Sequence, residues 1–262
     1  MTDTRRLAVE RDGATVIARF SHAPTRNSLD RDTRAGLMDL LEEWDADPEI
    51  RVVLLTGVDP AFTSGVDATQ LLSEDYEPLP RNPADVIRAM DTPTIAAVNG
   101  ACVSGGLEIA LACSFVIASQ RARFADTHAK LGLLPGWGLS AELPARIGPA
   151  RARQLTLTAA FIDAATALRW GLVNEVVPHD GLADRAQSLA EAIAALDEGV
   201  VRASVRLYRQ GQDAALGPAR LAEQAAGETW SVDRAQARQR LQTPRPSWRQ
   251  QRAAQSVSPP ST

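Results

Sequence analysis

RVVLLTG (51–57), TIAAVNG (94–100) and SFVIAS (114–119) are short, almost uncharged runs, and stretches with helical periodicity lie between them. A strand that is apolar on both faces must be covered on both, and interleaved helices supply that cover. The alternation predicts an α/β fold with largely parallel pairing. Ahead of it, LAVERDG and ATVIARF flank an Asp-Gly and read as a hairpin. In LDRDTRAGLMDLLEEWDADPEI, Leu37, Leu40, Leu41 and Trp44 share one face of a helix that ends near Asp47-Pro48. Residues 81–91 and GGLEIALAC (105–113) read as further helices. From about residue 139 only VNEVV (173–177) reads as a strand, and the stripe Leu182, Ala186, Leu189, Ala190, Ile193 and Leu196 begins a helical end.

Composition narrows the function. Of 262 residues, 45% are hydrophobic and 23% charged, and the net charge is -4, so there is no basic excess to make nucleic acid the main partner. No apolar run approaches the roughly 18 residues that cross a bilayer. MTDTRRLAVE has no apolar stretch after its basic residues, and a cytoplasmic protein without membrane association is expected. The only cysteines, Cys102 and Cys113, lack CxxC spacing and read as small buried thiols. No Cys/His/Asp cluster has ligand spacing, so no metal is expected, and neither GxGxxG nor a P-loop is present to hold a nucleotide cofactor. The polar, Pro-rich QSVSPPST at the end is expected to be disordered.

Two glycine turns stand where a strand gives way to a helix, AFTSGVDATQLL (61–72) and NGACVSGGLEIA (99–110). Glycine lets backbone N–H groups approach a ligand at the positive end of a helix dipole, and two such turns together would make an oxyanion hole. For either turn alone, tight turning or close packing at Gly65, Gly105 and Gly106 is the simpler account. Glu108, inside GGLEIALAC, has only small or apolar helical neighbours. A carboxylate there costs several kcal/mol unless it is paired, and desolvation raises its pKa toward that of a general acid or base. The alternatives are a helix-edge Glu reaching water and a structural ion pair. FADTHAKLGLLPGWG (124–138) holds one of three histidines, His128, two residues after Asp126. Either His128 has a chemical role, or Asp126 or Thr127 caps a short helix and His128 lies on its surface.

These segments carry a resemblance. AFTSGVDATQL resembles the AFxAGxDLxxL motif of the enoyl-CoA hydratase/isomerase, or crotonase, family, and PTIAAVNGACVSGGLEIALAC resembles its PTIAAVNGxAxGGGxELALACD block. FADTHAKLGLLPGWG is similar to FGxPExxLGxxPGxGG, and FIDAATALRWGLVNEVVP to ISAxEALxxGLVNxVVP. The four blocks are colinear, and the match spans roughly residues 5–210. The resemblance implies a crotonase-like ββα spiral core over 1–200, a helical C-terminal trimerisation region over 201–255, and a tail at 256–262. It also implies an acyl-CoA thioester ligand, no cofactor besides the coenzyme A of the substrate, and a homotrimer or dimer of trimers. Matched by position, the oxyanion hole is the backbone N–H of Val66 and of Gly105. Substrate or CoA contacts fall on Arg26, Ser28, Leu29, Ala61, Thr63, Ser64, Gly65, Asp67, Gly106, Pro135, Gly136 and Trp137. Arg26, in TRNSL, matches a basic position near the CoA phosphates.

Glu108 matches the family's first catalytic glutamate, but His128 stands where the second belongs. Ser104 replaces the first Gly of GGG and should be tolerated if its φ is negative. Ser114 replaces an Asp, and Trp137 fills a usually small position, where it narrows the acyl pocket or covers core. The resemblance therefore implies first an enoyl-CoA hydratase, with Glu108 as base and His128 as replacement acid. Another crotonase-type reaction, isomerisation or hydrolysis, and a non-catalytic acyl-CoA binder are the alternatives.

Overall fold

A computed structural model describes residues 2–4, as backbone alone, and 6–242. The expected tail at 256–262 and the basic residues Arg245, Arg249 and Arg252 lie outside the described residues.

Strand β1 (Thr2–Thr4) lies antiparallel beside β2 (Leu7–Asp12), which forms the predicted hairpin with β3 (Thr15–Phe20). Helix α1 (Arg31–Ala46) starts where the Asp30 side chain accepts from Thr33 N–H at 2.8 Å, and it buries Leu37, Leu41 and Trp44 as its periodicity requires. β4 (Val52–Gly57) follows, parallel to β3 and buried throughout.

From here one unit repeats. β4 leads into β5 (Ala61–Thr63), α2 (Ala68–Leu71) and α3 (Pro83–Ala89). β6 (Thr94–Val98) leads into β7 (Ala101–Val103) and α4 (Gly105–Ala112). β8 (Phe115–Ser119) leads into β9 (Arg123–Ala125), a single 3-10 turn at His128–Leu131, and α5 (Leu139–Ile147). The chain continues through α6 (Pro149–Thr158), β10 (Ile162–Asp163), α7 (Ala164–Trp170), β11 (Glu175–Val177), α8 (Leu182–Ala194), α9 (Glu198–Thr229) and α10 (Arg234–Gln242).

The first strand of each unit joins a seven-stranded sheet of order β1-β2-β3-β4-β6-β8-β11, and the second joins a four-stranded sheet of order β10-β9-β7-β5. This is the ββα spiral that the resemblance implied. The second sheet went unread because its strands, at two or three residues, are too short to show a period. β10 also corrects the expectation that VNEVV is the only strand after residue 139. Helix α8 lays Leu182, Ala186 and Ala190 on Val52, Leu54, Ile95, Ala97 and Ile117 of the larger sheet. Leu196, assigned to that stripe, falls beyond the helix and is exposed. Cys102 and Cys113 are buried free thiols, as expected, and burial pushes Cys113 up to about 12.

Candidate active site

The two glycine turns meet. Gly65 has a φ of +86°, and a Cβ there would lie 2.8 Å from the Val103 carbonyl oxygen and 3.0 Å from Gly105 N. A Cβ on Gly106 would lie 2.6 Å from the Thr63 carbonyl oxygen, so α4 begins against the end of β5 only because residue 106 has no side chain. Asn27, which sequence reasoning passed over, ties this corner together. Its Nδ2 donates to the carbonyls of Val58 and Ala61 at 2.7 Å each, while Thr63 Oγ1 donates to the Asn27 carbonyl at 2.6 Å. Leu29 brackets the first turn: its N–H donates to Gly65 O and its carbonyl accepts from Asp67 N–H, both at 2.9 Å. Val66 N–H, between them, and Gly105 N–H, at the start of α4, have no acceptor among the described residues. Two unpaired donors side by side at a helix start are what a developing oxyanion needs.

Ser104 corrects an expectation. Its φ is +49° with ψ at -111°, a conformation that favours glycine and costs of order 1–3 kcal/mol in other residues. The hydroxyl offsets part of that cost. Ser104 Oγ lies 2.9 Å from Thr127 Oγ1 and accepts from Thr127 N–H at 2.9 Å, which fastens the oxyanion turn to the segment carrying His128.

A cavity of about 800 Å³ opens over these donors. Val66, Gly105, Glu108, His128, Gly136 and Trp137 line it, as do Arg26, Ser28, Ser64 and Asp67 of the predicted contact residues. Leu29, Ala61, Thr63, Gly65, Gly106 and Pro135, also predicted as contacts, are not among the lining residues. The first five are buried and shape the turns from within the core, and Pro135 is half-buried. Asp67 and Ser28 are held by each other and by Arg6: Ser28 Oγ donates to Asp67 Oδ2 at 3.1 Å, and Arg6 Nη1 donates to both side chains. Arg26 is exposed at the cavity edge.

Glu108 is 2% exposed, in the first turn of α4. Its Oε1 accepts from Trp137 N–H at 2.8 Å, and its Oε2 lies 3.8 Å from His128 Nε2. Trp137 has both roles considered for it, since its ring faces the cavity and packs on the core, 3.0 Å from where a Gly105 Cβ would be. The His128 imidazole is not on the surface. Nδ1 sits 2.7 Å from Oδ1 of the fully buried Asp126, which also accepts from the His128 N–H at 3.1 Å. The capping contact and the chemical arrangement therefore coexist in one carboxylate. Glu223 of α9, invisible to motif reasoning, is buried nearby; its two carboxylate oxygens accept from Gly138 N–H at 2.6 Å and Ser140 N–H at 2.7 Å, at the start of α5.

Each charge answers to these neighbours. Burial, aided by the like charges of Glu223 and Asp126, raises Glu108 above its ordinary value, against the lowering pull of His128 and Trp137 N–H. Burial works most strongly against charging His128, yet its hydrogen bond to Asp126 and the charges of Glu108, Asp126 and Glu223 together raise it. Asp126 goes the other way: burial favours its neutral form, but hydrogen bonding and charge from His128 lower it. These directions favour a charged imidazole beside the Asp126 carboxylate and make Glu108 easier to protonate than a free glutamate. Nδ1 is committed to Asp126, so Nε2 is the nitrogen turned toward Glu108.

Residues 12–251 match the profile of the enoyl-CoA hydratase/isomerase family. The chain belongs to that family, and it is an enzyme of acyl-CoA chemistry. It is 33% identical over 210 residues, 79% of each chain, to a probable peroxisomal enoyl-CoA hydratase 1 of Arabidopsis thaliana. It is 39% identical over 196 residues to the (E)-benzylidenesuccinyl-CoA hydratase of Thauera aromatica, covering 71% of this chain and 75% of that one. An enoyl-CoA hydratase crystal structure from Mycobacterium avium superposes with a TM-score of 0.80 at 38% identity, covering 86% of this chain and 97% of the other.

Proposed function

We propose that this enzyme adds water across the C2–C3 double bond of 2-enoyl-CoA thioesters, with an imidazolium in place of a second carboxylic acid. The observation that carries the proposal is the 3.8 Å gap between Glu108 Oε2 and His128 Nε2 beside two unpaired N–H donors. That gap is too long for a direct hydrogen bond, but one water oxygen can sit about 2.8 Å from both atoms. The Glu108 carboxylate takes a proton from the water as its oxygen bonds to C3. The electrons of the double bond move toward the thioester, whose carbonyl oxygen gains negative charge against Val66 N–H and Gly105 N–H. His128 Nε2 then delivers its proton to C2. Proton passage from Glu108 to His128 restores the starting ionisation.

Arg26, exposed at the cavity edge, suits the CoA phosphates. Val200, Leu207, Tyr208 and Leu221 are exposed along α9 and suit assembly into the trimers that the resemblance implied. Among the described residues no helix is long and apolar enough to cross a membrane, and we place the enzyme in cytoplasmic acyl-CoA metabolism, including that of fatty acids, without a metal or separate cofactor. The Asp126–His128 pair also favours a second reaction, attack of water on the thioester itself, which releases a free thiol.

The test follows loss of enoyl-thioester conjugation and release of thiol in parallel over a panel of enoyl-CoA chain lengths. Conjugation should fall without thiol release, and His128→Ala should lower kcat by roughly 10²- to 10⁴-fold with little change in KM. Wild-type turnover in that variant would remove His128 from the mechanism; thiol release in place of hydration would replace the reaction.

A further inference from the structure

Arg34, in the first turns of α1, is 3% exposed and lines the same cavity. Its guanidinium is poorly matched by the protein. Nε donates to the Asp30 carbonyl at 3.3 Å, Nη1 reaches Tyr76 Oη only at 3.5 Å, and Nη2 is buried with no acceptor among the described residues. The Tyr76 ring stands 6.0 Å from Cζ, a weakly favourable place for a cation. No carboxylate lies within 4.0 Å among the described residues. The Asp30 carboxylate exerts some charge on Arg34 from further away, but it is held by Arg6 Nε at 3.0 Å and by Thr33 N–H. A buried guanidinium whose donors are not all accepted is poorly compensated. Such a group in a cavity wall suits an anionic ligand.

We propose that Arg34 receives a second carboxylate carried on the acyl chain, so that the preferred substrates are CoA monothioesters of dicarboxylic 2-enoic acids. This substrate class rests on the acyl-CoA reading of the cavity. A coenzyme A phosphate offers the same anionic chemistry, but the cavity already presents Arg26 at its solvent edge for that part of the ligand, whereas Arg34 lies within the wall beside Leu71 and Tyr76. A planar carboxylate matches the guanidinium fork in two parallel hydrogen bonds and needs no solvent to complete its shell. An alkyl end at the same place would offer Nη2 no acceptor.

Calorimetry with saturated ligands, which the enzyme cannot hydrate, tests the site apart from the reaction. The probes are CoA monothioesters of dicarboxylic acids over a ladder of chain lengths, their methyl-terminated counterparts, and free coenzyme A. At the length that reaches Arg34, wild-type protein should bind the carboxylate-bearing member about 10- to 100-fold more tightly than its counterpart, and Arg34→Met should bring the pair within about twofold. The proposal is overturned by wild-type protein with no preference at any length, which needs no variant to fold. It is also overturned by a preference that survives Arg34→Met, or by a variant that weakens free coenzyme A as much as the acid-bearing ligand. Hydration of the matching 2-enoyl pairs is measured alongside. Binding preference without hydration would sink the hydratase reading and leave the Arg34 site standing; hydration without preference would do the reverse.

Discussion

Asp126 decides what His128 can do. A free imidazole could present either nitrogen to the cavity, but the 2.7 Å contact with Asp126 Oδ1 holds Nδ1 and leaves Nε2 for the reacting groups. The same carboxylate helps raise the His128 pKa above its ordinary 6.5, while burial raises that of Glu108 above 4.5. Hydration needs Glu108 deprotonated and His128 protonated, so kcat/KM should be bell-shaped, with its acid limb above pH 4.5 and its alkaline limb above 6.5. Asp126→Asn removes the charge that favours the imidazolium, so the alkaline limb should move to lower pH and kcat at neutral pH should fall about 10- to 100-fold. An alkaline limb that stays in place in Asp126→Asn, measured over the full pH range, would dissociate Asp126 from the proton donor.

At the scale of elements, the last long helix reaches back to set the turn beside Glu108. α9 runs for 32 residues, and the only residue it buries is Glu223. That carboxylate supplies the acceptors that the first N–H groups of α5 lack, since Gly138 at the cap position has no side chain to offer. Trp137, one residue earlier, gives its N–H to Glu108, so α9 anchors the turn that holds Glu108. Glu223→Gln retains shape but loses the charge and one of two acceptors, and thermal unfolding should report a loss of about 1–3 kcal/mol. Because the Glu223 charge raises both Glu108 and His128, both limbs of the pH profile should also shift to lower pH. A fall in stability with an unshifted profile would mean that Glu223 only caps α5.

For the whole molecule, the unsolved surface is the outer face of α9. Leu207 is 68% exposed and Tyr208 80%, along with Val200 and Leu221, on a helix whose remaining exposed residues are small or polar. Light scattering should give a mass of about three or six chains, and Leu207→Glu with Tyr208→Glu should shift the protein toward monomer. A monodisperse wild-type monomer would end the proposal that this face is an interface. The other helix of this region has a role within the chain: Arg238 of α10 donates to the Leu72 carbonyl at 3.2 Å, Leu241 lines the cavity, and Trp230 Nε1, just before the helix, donates to the Gly132 carbonyl at 2.8 Å. Arg238 is one of several arginines between residues 234 and 252, and its guanidinium is used to close the fold.

The amino-acid sequence by itself determined six strands of the larger sheet, the hairpin among them, the placing of α1, α4 and α8, and the choice of Glu108 and His128 as candidates, because apolar period, glycine position and colinear motifs are local properties of the chain. The tertiary structure decided the rest, and the reason is range. Whether His128 is a cap or an acid depends on Glu108, twenty positions away in sequence but 3.8 Å away in space. Ser104 is acceptable on sequence grounds at negative φ, but its φ is positive where α4 meets the Gly65 turn, and its hydroxyl offsets part of the cost through Thr127. Glu223 and Arg34 resemble any charged residue on an amphipathic helix until packing buries them, one with two hydrogen-bond donors and the other with too few acceptors, and water is the partner each would have taken otherwise.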